Sequence, residues 1–335
     1  MLPLSPKKRI PWDTSSTLTQ RLDRWSEVST GDSRLLFDEP LSRHCSLRIG
    51  GPATYWIEVG SASDLQTLLA ALGDAPFYSV GLGSNVLFPD DGIDAPVVRF
   101  VGDLASWTVE ADGDVASVDV MSGTVNAHLV RGLLDDGWVG ADFLTLIPGT
   151  FGGAVALNAG TKEAELSEIL DTVWLAVADD DNRRWVVEAK SPASLKMSYR
   201  YCELPPDALV IGGRIELRQG DVEAARRRMK ADKQRRNETQ PYRLASVGST
   251  FANPDGDYAG RLIDEVGLKG ESVGGARISE LHANFFINDD DASADDFLML
   301  MARARRRVRE QFDIELRPEV KFVGFDGLRR LDELE

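Results

Sequence analysis

The stretch SVGSTFANP at residues 246–254 is the most informative segment of this 335-residue chain, and GLKG follows it at residues 267–270. Gly248 precedes Ser249 in this stretch, and an Asn-Pro pair determines the turn that follows. A serine in a tight turn of this kind can be positioned in direct contact with a ligand. Because a turn of this kind standing alone is more often structural, its interpretation depends on the glycine-containing loops elsewhere in the chain.

The longest of these loops reads IPGTFGGAVALNAG at residues 147–160. Four glycines and a proline in an otherwise apolar segment cost backbone entropy, so the composition is expected to disrupt any helix or strand here. A chain of this composition is suited to pass flat against a large planar or phosphorylated ligand.

Two shorter loops have a related composition. Residues 81–86 read GLGSNV, which begins like a dinucleotide fingerprint but has Val86 where the third glycine belongs. A Rossmann domain is therefore not predicted, although the two glycines still let backbone N–H groups approach a pyrophosphate. A simple hairpin turn explains this loop equally well.

Residues 47–53 read LRIGGPA, which places an arginine beside a glycine pair. Three such loops around one ligand indicate a dinucleotide.

The composition limits the classes of function. A hydrophobic share of 43% with 27% charged residues is typical of a globular protein in water, and a net charge of −16 argues against nucleic acid or an anionic membrane as a partner. No apolar stretch approaches the length of a membrane-spanning helix, and no secretory signal is apparent, so we predict a cytoplasmic protein. Two cysteines and three scattered histidines give no disulfide framework and no metal-ligand spacing, so we predict no metal site.

The periodicity of the sequence predicts two or three domains with mixed secondary structure. We predict a flexible arm over residues 1–20, and a basic helix over residues 223–236 whose arginines face solvent. A capping box from Ser293 to Asp296 opens a predicted helix that ends at Phe312. The other predicted helices span residues 61–73 and 125–134, and the predicted strands span residues 77–80, 97–100, 107–110, 115–121, 173–177, 184–188 and 209–216.

Taken in order, the motifs resemble those of the UDP-N-acetylenolpyruvoylglucosamine reductase family, in its shorter subtype without an inserted tyrosine loop. The resemblance covers about residues 41–324 and becomes specific only when the motifs are taken together. They are RIGGPA at 48–53, GSN at 83–85, IPGTFGG at 147–153, SYR at 198–200, GSTFANP at 248–254, AGRLI at 259–263, GLKG at 267–270, HANFFIN at 282–288 and RPEV at 317–320.

The resemblance implies an α+β protein with a vanillyl-alcohol-oxidase-like (PCMH-type) FAD-binding domain made of two subdomains. The first subdomain would span residues 21–76 and be completed by residues 316–335, and the second would span residues 77–218. A C-terminal α/β substrate-binding domain would span residues 219–315. FAD would be bound non-covalently, because residues 81–91 contain no histidine of the kind that attaches flavin in related oxidases.

The same resemblance implies a reaction. NADPH would reduce the flavin, which would then reduce the enolpyruvyl ether of UDP-N-acetylglucosamine to UDP-N-acetylmuramate for peptidoglycan synthesis. Ser249 matches the proton donor, Arg200 matches the cation that binds the substrate carboxylate, and Glu319 matches a glutamate that assists the developing charge. The protein would act as a monomer, with no nucleic-acid or membrane partner.

The remaining predicted site residues follow from the loops and the matched motifs. Tyr199, Asn253 and Lys269 are predicted to bind substrate. The predicted cofactor-binding residues are Arg48, Gly50, Gly51, Gly81, Gly83, Ser84, Asn85, Pro148, Gly149, Thr150, Gly152, Gly153 and Asn158.

The sequence also departs from the family pattern and leaves alternatives. Ala252 stands where the family commonly has a lysine, and Arg317 replaces a common glutamate, so the local charge and one diphosphate contact differ. One alternative is an FAD-dependent oxidase of a sugar or alcohol with the same fold, which would leave Ser249 and Glu319 unexplained. The other is a protein that binds FAD or a nucleotide sugar without turnover.

Overall fold

A computed structural model describes residues 16–179 and 184–334. Most of the predicted N-terminal arm lies outside these residues. Within the described stretch of the arm, residues 18–20 belong to a helix whose N-cap is Thr17.

The described chain contains both helices and strands. The α-helices are α1 Leu18–Val28, α2 Ala62–Leu72, α3 Asn126–Asp135, α4 Phe151–Ala156, α5 Val222–Thr239, α6 Ala259–Glu265, α7 Ala294–Phe312 and α8 Gly327–Leu334. The strands are β1 Arg34–Pro40, β2 Pro52–Val59, β3 Tyr78–Ser79, β4 Val86–Leu87, β5 Val97–Phe100, β6 Trp107–Asp112, β7 Val115–Met121, β8 Trp138–Val139, β9 Leu170–Asp179, β10 Arg184–Lys190, β11 Leu209–Gln219, β12 Ala245–Ser246, β13 Ser272–Val273, β14 Ala276–Ile278, β15 Phe286–Asn288 and β16 Lys321–Phe322.

The chain divides into two compact units, each built from separate stretches of sequence. Unit 1 comprises residues 1–37, 55–81 and 96–231, and unit 2 comprises residues 38–54, 82–95 and 232–335. The predicted FAD-binding subdomains, 21–76 and 77–218, fall mostly in unit 1, whereas the predicted completing segment 316–335 falls in unit 2. The predicted domain bounds stay predictions.

Unit 1 is centred on an antiparallel sheet in the order β10-β9-β11-β7-β6, with β8 paired to β11. Successive side chains of a strand point to opposite faces, and β11 shows the consequence. Val210 packs into a core with the leucines of α3, whereas Leu209 and Ile211 pack into a second core with the leucines of α2. Both faces of this sheet are therefore covered, which explains its predominantly apolar central strands.

The helix α2 illustrates why local sequence predicts these elements well. The Ser61 side chain accepts a hydrogen bond from the Asp64 N–H at 3.1 Å, and Gly73 ends the helix with a φ of 60°. The leucines at positions 65, 68, 69 and 72 are buried against α1 and the parallel pair β2 and β5 of a second sheet, β1-β2-β5-β3. The cap, the apolar stripe and the terminal glycine all agree with the predicted span.

Unit 2 is smaller and is built around an antiparallel sheet in the order β12-β15-β14-β13. The long helix α7 packs on β13 and β14, and its capping box between Ser293 and Asp296 confirms the predicted start. Phe286 of β15 lies between Phe251 and Phe297, with ring centroids 5.8 and 5.9 Å apart in edge-to-face geometry. A short parallel pair, β4 with β16, joins residues 86–87 to residues 321–322 in the same unit.

Two expectations from the sequence are corrected by the structure. Residues 151–156 form the short helix α4 despite two glycines, because the segment packs against β7 and β11 and tertiary burial outweighs the glycine propensity. Strands β1 and β2 are not predicted from the sequence, since their residues alternate too irregularly between exposed and buried positions. The helices α1 and α8 and the short strands β4, β8 and β12–β16 are not predicted either. The other predicted helices and strands are confirmed, with bounds shifted by a few residues.

Candidate active-site loops

In unit 2 the segment that begins with Ser249 is paired to the segment that ends with Glu319. The Glu319 N–H donates to the Thr250 carbonyl at 2.9 Å, and the Ala252 N–H donates to the Arg317 carbonyl at 2.9 Å. Two of the three predicted catalytic residues thus lie on neighbouring, hydrogen-bonded stretches of backbone, although 70 positions separate them in the chain. Both side chains are partly exposed.

The loop at residues 83–85 contacts the same region of unit 2. The Asn85 side-chain Nδ2 donates to the Glu319 carbonyl at 3.0 Å, and the Asn85 carbonyl accepts from the Lys321 N–H at 3.0 Å. The Asn85 Oδ1 is buried and has no hydrogen-bond partner among the described residues. Ser84 lies next to it, and its carbonyl accepts from the Ser46 hydroxyl at 3.3 Å.

The charges around Glu319 are predominantly basic. Packing around the Lys321 ammonium lowers its pKa, the charge of Arg317 lowers it further, and Glu319 acts in the opposite direction. The arginine that replaces the common glutamate at position 317 therefore adds positive charge near the carboxylate.

The glycine pair beside Arg48 is required by packing within unit 2. A Cβ on Gly50 would lie 2.7 Å from the Cβ of Phe88, and a Cβ on Gly51 would collide with the Asp90 carbonyl. Gly83 has a φ of 64°, and a Cβ there would collide with the backbone of His44. Because Gly50, Gly51 and Gly83 have no Cβ, their backbones can lie in contact with neighbouring segments of unit 2.

In unit 1 the loop at residues 147–153 lies against the loop between β7 and α3. The Phe151 N–H donates to the Thr124 carbonyl at 2.8 Å, and the Asn126 N–H donates to the Gly149 carbonyl at 3.1 Å. Asn126 also donates from its side chain to the Ile147 carbonyl at 3.1 Å. The exposed Pro148 precedes Gly149, whose φ is 136°.

The other predicted cofactor glycines of unit 1 differ in the space around them. A Cβ on Gly81 would lie 2.5 Å from Thr150 Oγ1, and a Cβ on Gly152 would collide with the Ser122 hydroxyl. A Cβ on Gly153 would meet only Thr150 Oγ1, at 3.7 Å, among the described residues. Gly153 therefore has more open space around it than Gly81 or Gly152.

Asn158 is completely buried, and its side chain is bonded within unit 1. Its Nδ2 donates to Glu165 Oε2 at 2.8 Å and to the Ser198 carbonyl at 3.1 Å, and its Oδ1 accepts from the Ser167 N–H at 2.9 Å. This side chain joins the end of the glycine-rich loop to the turn that carries Tyr199 and Arg200.

Arg200 occupies a tight two-residue turn. The backbones of Ser198 and Tyr201 exchange hydrogen bonds of 3.0 and 2.9 Å around Tyr199 and Arg200. Arg200 Nη2 donates to the Gly160 carbonyl at 3.0 Å, and the guanidinium carbon lies 5.0 Å from the centroid of the Tyr199 ring. Tyr199 itself is 42% exposed.

Three predicted site residues have left-handed backbone conformations, which cost energy for a residue with a Cβ. The φ values are 59° at Arg48, 41° at Asn158 and 54° at Arg200. Asparagine tolerates this region, but arginine does so rarely. Such strain is concentrated at functional sites in proteins, so the conformations of Arg48 and Arg200 support their selection from the sequence.

The predicted substrate residues of unit 2 lie beside α6. Asn253 Oδ1 accepts from the Ala259 N–H at 3.1 Å, and the Lys269 ammonium lies 2.7 Å from Asp264 Oδ2. Burial lowers the pKa of His282, and the positive charge of Lys269 lowers it further.

Sequence reasoning missed two sets of polar residues in these loops. Ser122, Thr124 and Asn126 support the glycine-rich loop of unit 1, and the composition SGTVN at 122–126 was a usable signal of a second polar loop. Asn284 is buried next to the Ser249 segment. Its side-chain Oδ1 accepts from the Phe251 N–H, and its Nδ2 donates to the Phe251 carbonyl. Nothing in the local pattern around Asn284 indicates this partner.

Two kinds of feature are absent from residues 16–179 and 184–334. No helix there combines the length and apolarity needed to cross a bilayer. Nor do three or more histidine, cysteine, aspartate or glutamate side chains gather there as a metal centre would require.

The fold and loops define a flavoprotein of the FAD-binding class. Residues 53–180 match the family model described as "FAD binding domain", which includes the glycine-rich loops at 81–85 and 147–153. Residues 240–323, which include Ser249 and Glu319, match "UDP-N-acetylenolpyruvoylglucosamine reductase, C-terminal domain".

The chain belongs to the UDP-N-acetylenolpyruvoylglucosamine reductase family. It is 41% identical over 291 residues to the reductase of that name from Anaeromyxobacter dehalogenans (strain 2CP-C), covering 86% of this chain and 85% of that protein. It is 41% identical over 287 residues to the one from Methylococcus capsulatus (strain ATCC 33009 / NCIMB 11132 / Bath), covering 85% and 92%. The solved structure of UDP-N-acetylenolpyruvylglucosamine reductase (MurB) from Thermus caldophilus superposes with a TM-score of 0.70 at 34% identity, covering 87% of this chain and 98% of that one. The predicted α+β fold class, with its PCMH-type FAD-binding domain and C-terminal domain, is confirmed.

Proposed function

We propose that this protein is the NADPH-dependent flavoenzyme that reduces the enolpyruvyl ether of UDP-N-acetylglucosamine to UDP-N-acetylmuramate, the reaction that supplies peptidoglycan synthesis. The observation that carries the proposal is the hydrogen-bonded pairing of the Ser249 segment with the Glu319 segment in unit 2. An oxidase with the same FAD-binding fold would have no use for a proton-donating serine on a segment that is paired with a glutamate-bearing segment.

The residues present suit FAD. The backbone beside Gly153 is exposed and open, and the buried Asn85 Oδ1 is an acceptor without a partner among the described residues. Residues 81–91 contain no histidine, so a covalent bond of the kind found in related oxidases is not expected. We propose that residues 48–51, 81–85 and 148–153 are the cofactor-binding residues.

FAD held by these residues would supply the hydride, obtained from NADPH, that reduces the vinyl group at its β-carbon. The electron pair of the double bond then moves toward the α-carbon and its carboxylate. Ser249 gives its proton to the α-carbon, which completes the lactyl ether, and solvent restores the serine proton. A serine hydroxyl is a weak acid, so this step depends on alignment of the hydroxyl with the carbanion.

The other two proposed catalytic residues handle the negative charge. The Arg200 guanidinium is a permanent planar cation that can bind a carboxylate with two parallel hydrogen bonds. Glu319 lies near the basic residues Arg317 and Lys321, and it assists the developing charge or the supply of the proton as a protonated acid or through a hydrogen bond to an arginine or water. Tyr199, Asn253 and Lys269 are proposed to contact the substrate. Asn158, which the sequence predicts to bind the cofactor, is proposed instead to position the Arg200 turn, because its side-chain amide is buried and bonded to Glu165, Ser167 and Ser198. The proposal also includes a cytoplasmic location and a monomeric state, which suit a reaction of free NADPH with a nucleotide sugar.

The direct test is NADPH oxidation by the purified yellow protein, with and without the UDP-enolpyruvyl sugar. We expect oxidation that depends on the substrate, formation of UDP-N-acetylmuramate, and release of the flavin on acid precipitation. Flavin reduction by a sugar or alcohol with oxygen as the electron acceptor, and no NADPH oxidation that depends on the UDP-enolpyruvyl sugar, would indicate an oxidase. Flavin binding without any turnover would indicate a binding protein.

Gly153→Val is expected to yield a folded protein that does not retain flavin. Valine is no worse than glycine in a helix, and no described protein atom would clash with it closely, so the branched side chain would occupy ligand space. Flavin content per protein and thermal melting would be measured, with Gly153→Ala as the control that adds only one carbon. Gly152→Val is unsuitable as a test, because its side chain would collide with Ser122 in any case. Normal flavin content in Gly153→Val would show that this loop has no contact with the cofactor.

A further inference from the structure

Asn284 is hydrogen-bonded to the two residues that follow Ser249 in the chain. Its side chain accepts from the Phe251 N–H at 3.0 Å and donates to the Phe251 carbonyl at 2.8 Å, and its own carbonyl accepts from the Thr250 N–H at 2.8 Å. The residue is only 3% exposed, so these bonds are made away from water. A buried amide with both ends bonded to one residue constrains that residue's position strongly.

Thr250 adds a second constraint from the same side. Its side chain is completely buried, and its hydroxyl oxygen accepts from the Phe286 N–H at 3.3 Å, at the start of β15. The Thr250 carbonyl points the other way, where it accepts from the Glu319 N–H. The short segment 250–252 is thus held between the 284–286 stretch on one side and the 317–319 stretch on the other.

The consequence concerns the distance between the two proposed catalytic groups of unit 2. Ser249 precedes Thr250 in the chain, and the Glu319 N–H is hydrogen-bonded to the Thr250 carbonyl. The positions of the Ser249 and Glu319 side chains therefore both depend on the position of Thr250. A shift of the 250–252 segment would move Ser249 relative to a substrate that other residues hold in place. Misplacement of about 1 Å in a reacting group costs about 10²-fold in rate.

We propose that Asn284, together with the Thr250 hydroxyl, is a positioning residue that aligns Ser249 for proton transfer. Neither group contacts the substrate, because both are buried within unit 2. The inference rests on the proposed function, since it concerns the proton-transfer step of that reaction. The inference extends the proposed function by assigning a role to two residues outside the proposed catalytic and binding sets.

Asn284→Asp is the sharpest substitution. The shape is kept, and the oxygen that accepts from Phe251 remains, but the donor to the Phe251 carbonyl is replaced by an oxygen that repels it. We expect substrate-driven flavin reoxidation to slow by about 10-fold to 10²-fold, with flavin content and the rate of reduction by NADPH within about 2-fold of wild type. In steady state kcat should fall while KM for the UDP sugar stays nearly constant.

A pair of substitutions at Thr250 gives an independent measurement if Asn284→Asp does not fold. Thr250→Val keeps the shape but removes the hydroxyl acceptor, and Thr250→Ser retains it. We expect Thr250→Val to slow reoxidation selectively, by about 10-fold, and Thr250→Ser to recover most of that loss. Thr67→Val is the matched control, since that hydroxyl bonds within α2 of unit 1 and should leave both half-reactions unchanged.

The outcomes separate the inference from the proposed function. Equal slowing of both half-reactions per bound flavin, or a change in KM alone, would overturn the positioning role. So would a Thr250→Val protein with wild-type reoxidation. If the wild-type protein fails to reoxidise with the UDP-enolpyruvyl sugar at all, the proposed function fails instead.

Discussion

Ser249→Ala is expected to leave flavin reduction by NADPH almost unchanged and to slow reoxidation by the enolpyruvyl substrate by about 10³-fold or more. Reduction requires no proton at the α-carbon, whereas reoxidation does, and loss of general-acid transfer typically costs 10²- to 10⁴-fold. A 10³-fold change corresponds to about 4 kcal/mol in activation free energy. Stopped-flow absorbance of the flavin resolves the two steps.

Two further variants make this result specific. Ser249→Cys should recover some of the activity, because a thiol can donate a proton from a similar position. Ser272→Ala, at an exposed serine of β13 in the same unit, should behave as wild type. Equal slowing of both steps in Ser249→Ala would show that the serine supports the loop or the flavin, and unchanged steps would remove it from the catalytic residues.

Arg200→Lys is expected to lower turnover by about 10²-fold or more, even though the charge is kept. Lysine lacks the planar fork that binds a carboxylate with two hydrogen bonds and at the same time reaches the Gly160 carbonyl. The contact strengthens as charge develops on the substrate, so the loss should appear in kcat as well as in kcat/KM. Steady-state kinetics with saturating NADPH would measure it.

The backbone at position 200 allows a clean comparison. Lysine and arginine both carry a Cβ, so the left-handed φ of 54° is strained equally in the two proteins. Arg227→Lys is the matched control, because that arginine on α5 is 70% exposed in its side chain and should tolerate the change. Turnover close to wild type in Arg200→Lys would contradict a catalytic role for the guanidinium.

Local signals in the sequence predicted the helices α2, α3, α5 and α7 and the strands β3, β5, β6, β7, β9, β10 and β11. The capping box at Ser293 and the terminal Gly73 act within one turn of a helix, so their partners are near in sequence and can be identified without the fold. The helix α4 could not be predicted in this way, because its glycines oppose a helix locally and only burial against β7 and β11 explains it.

The glycine-rich loops show a different limit of sequence reasoning. All of these glycines were predicted to make room for a ligand. The structure shows that Gly50, Gly51, Gly83 and Gly152 are required by protein atoms that a Cβ would strike, and that Gly153 faces open space. Composition reveals that a backbone must approach something closely, but the tertiary contacts decide whether that is the ligand or another segment of the chain.

The sequence by itself determined the family, through motifs whose order and spacing are specific together, and the residue types suited to the reaction at Arg200, Ser249 and Glu319. Only the tertiary structure decided that the Ser249 and Glu319 segments are hydrogen-bonded to each other and that Asn284 is hydrogen-bonded to Thr250 and Phe251 of the Ser249 segment. The physical reason is that these bonds join residues more than 30 positions apart, where the periodicity of a helix or strand carries no information.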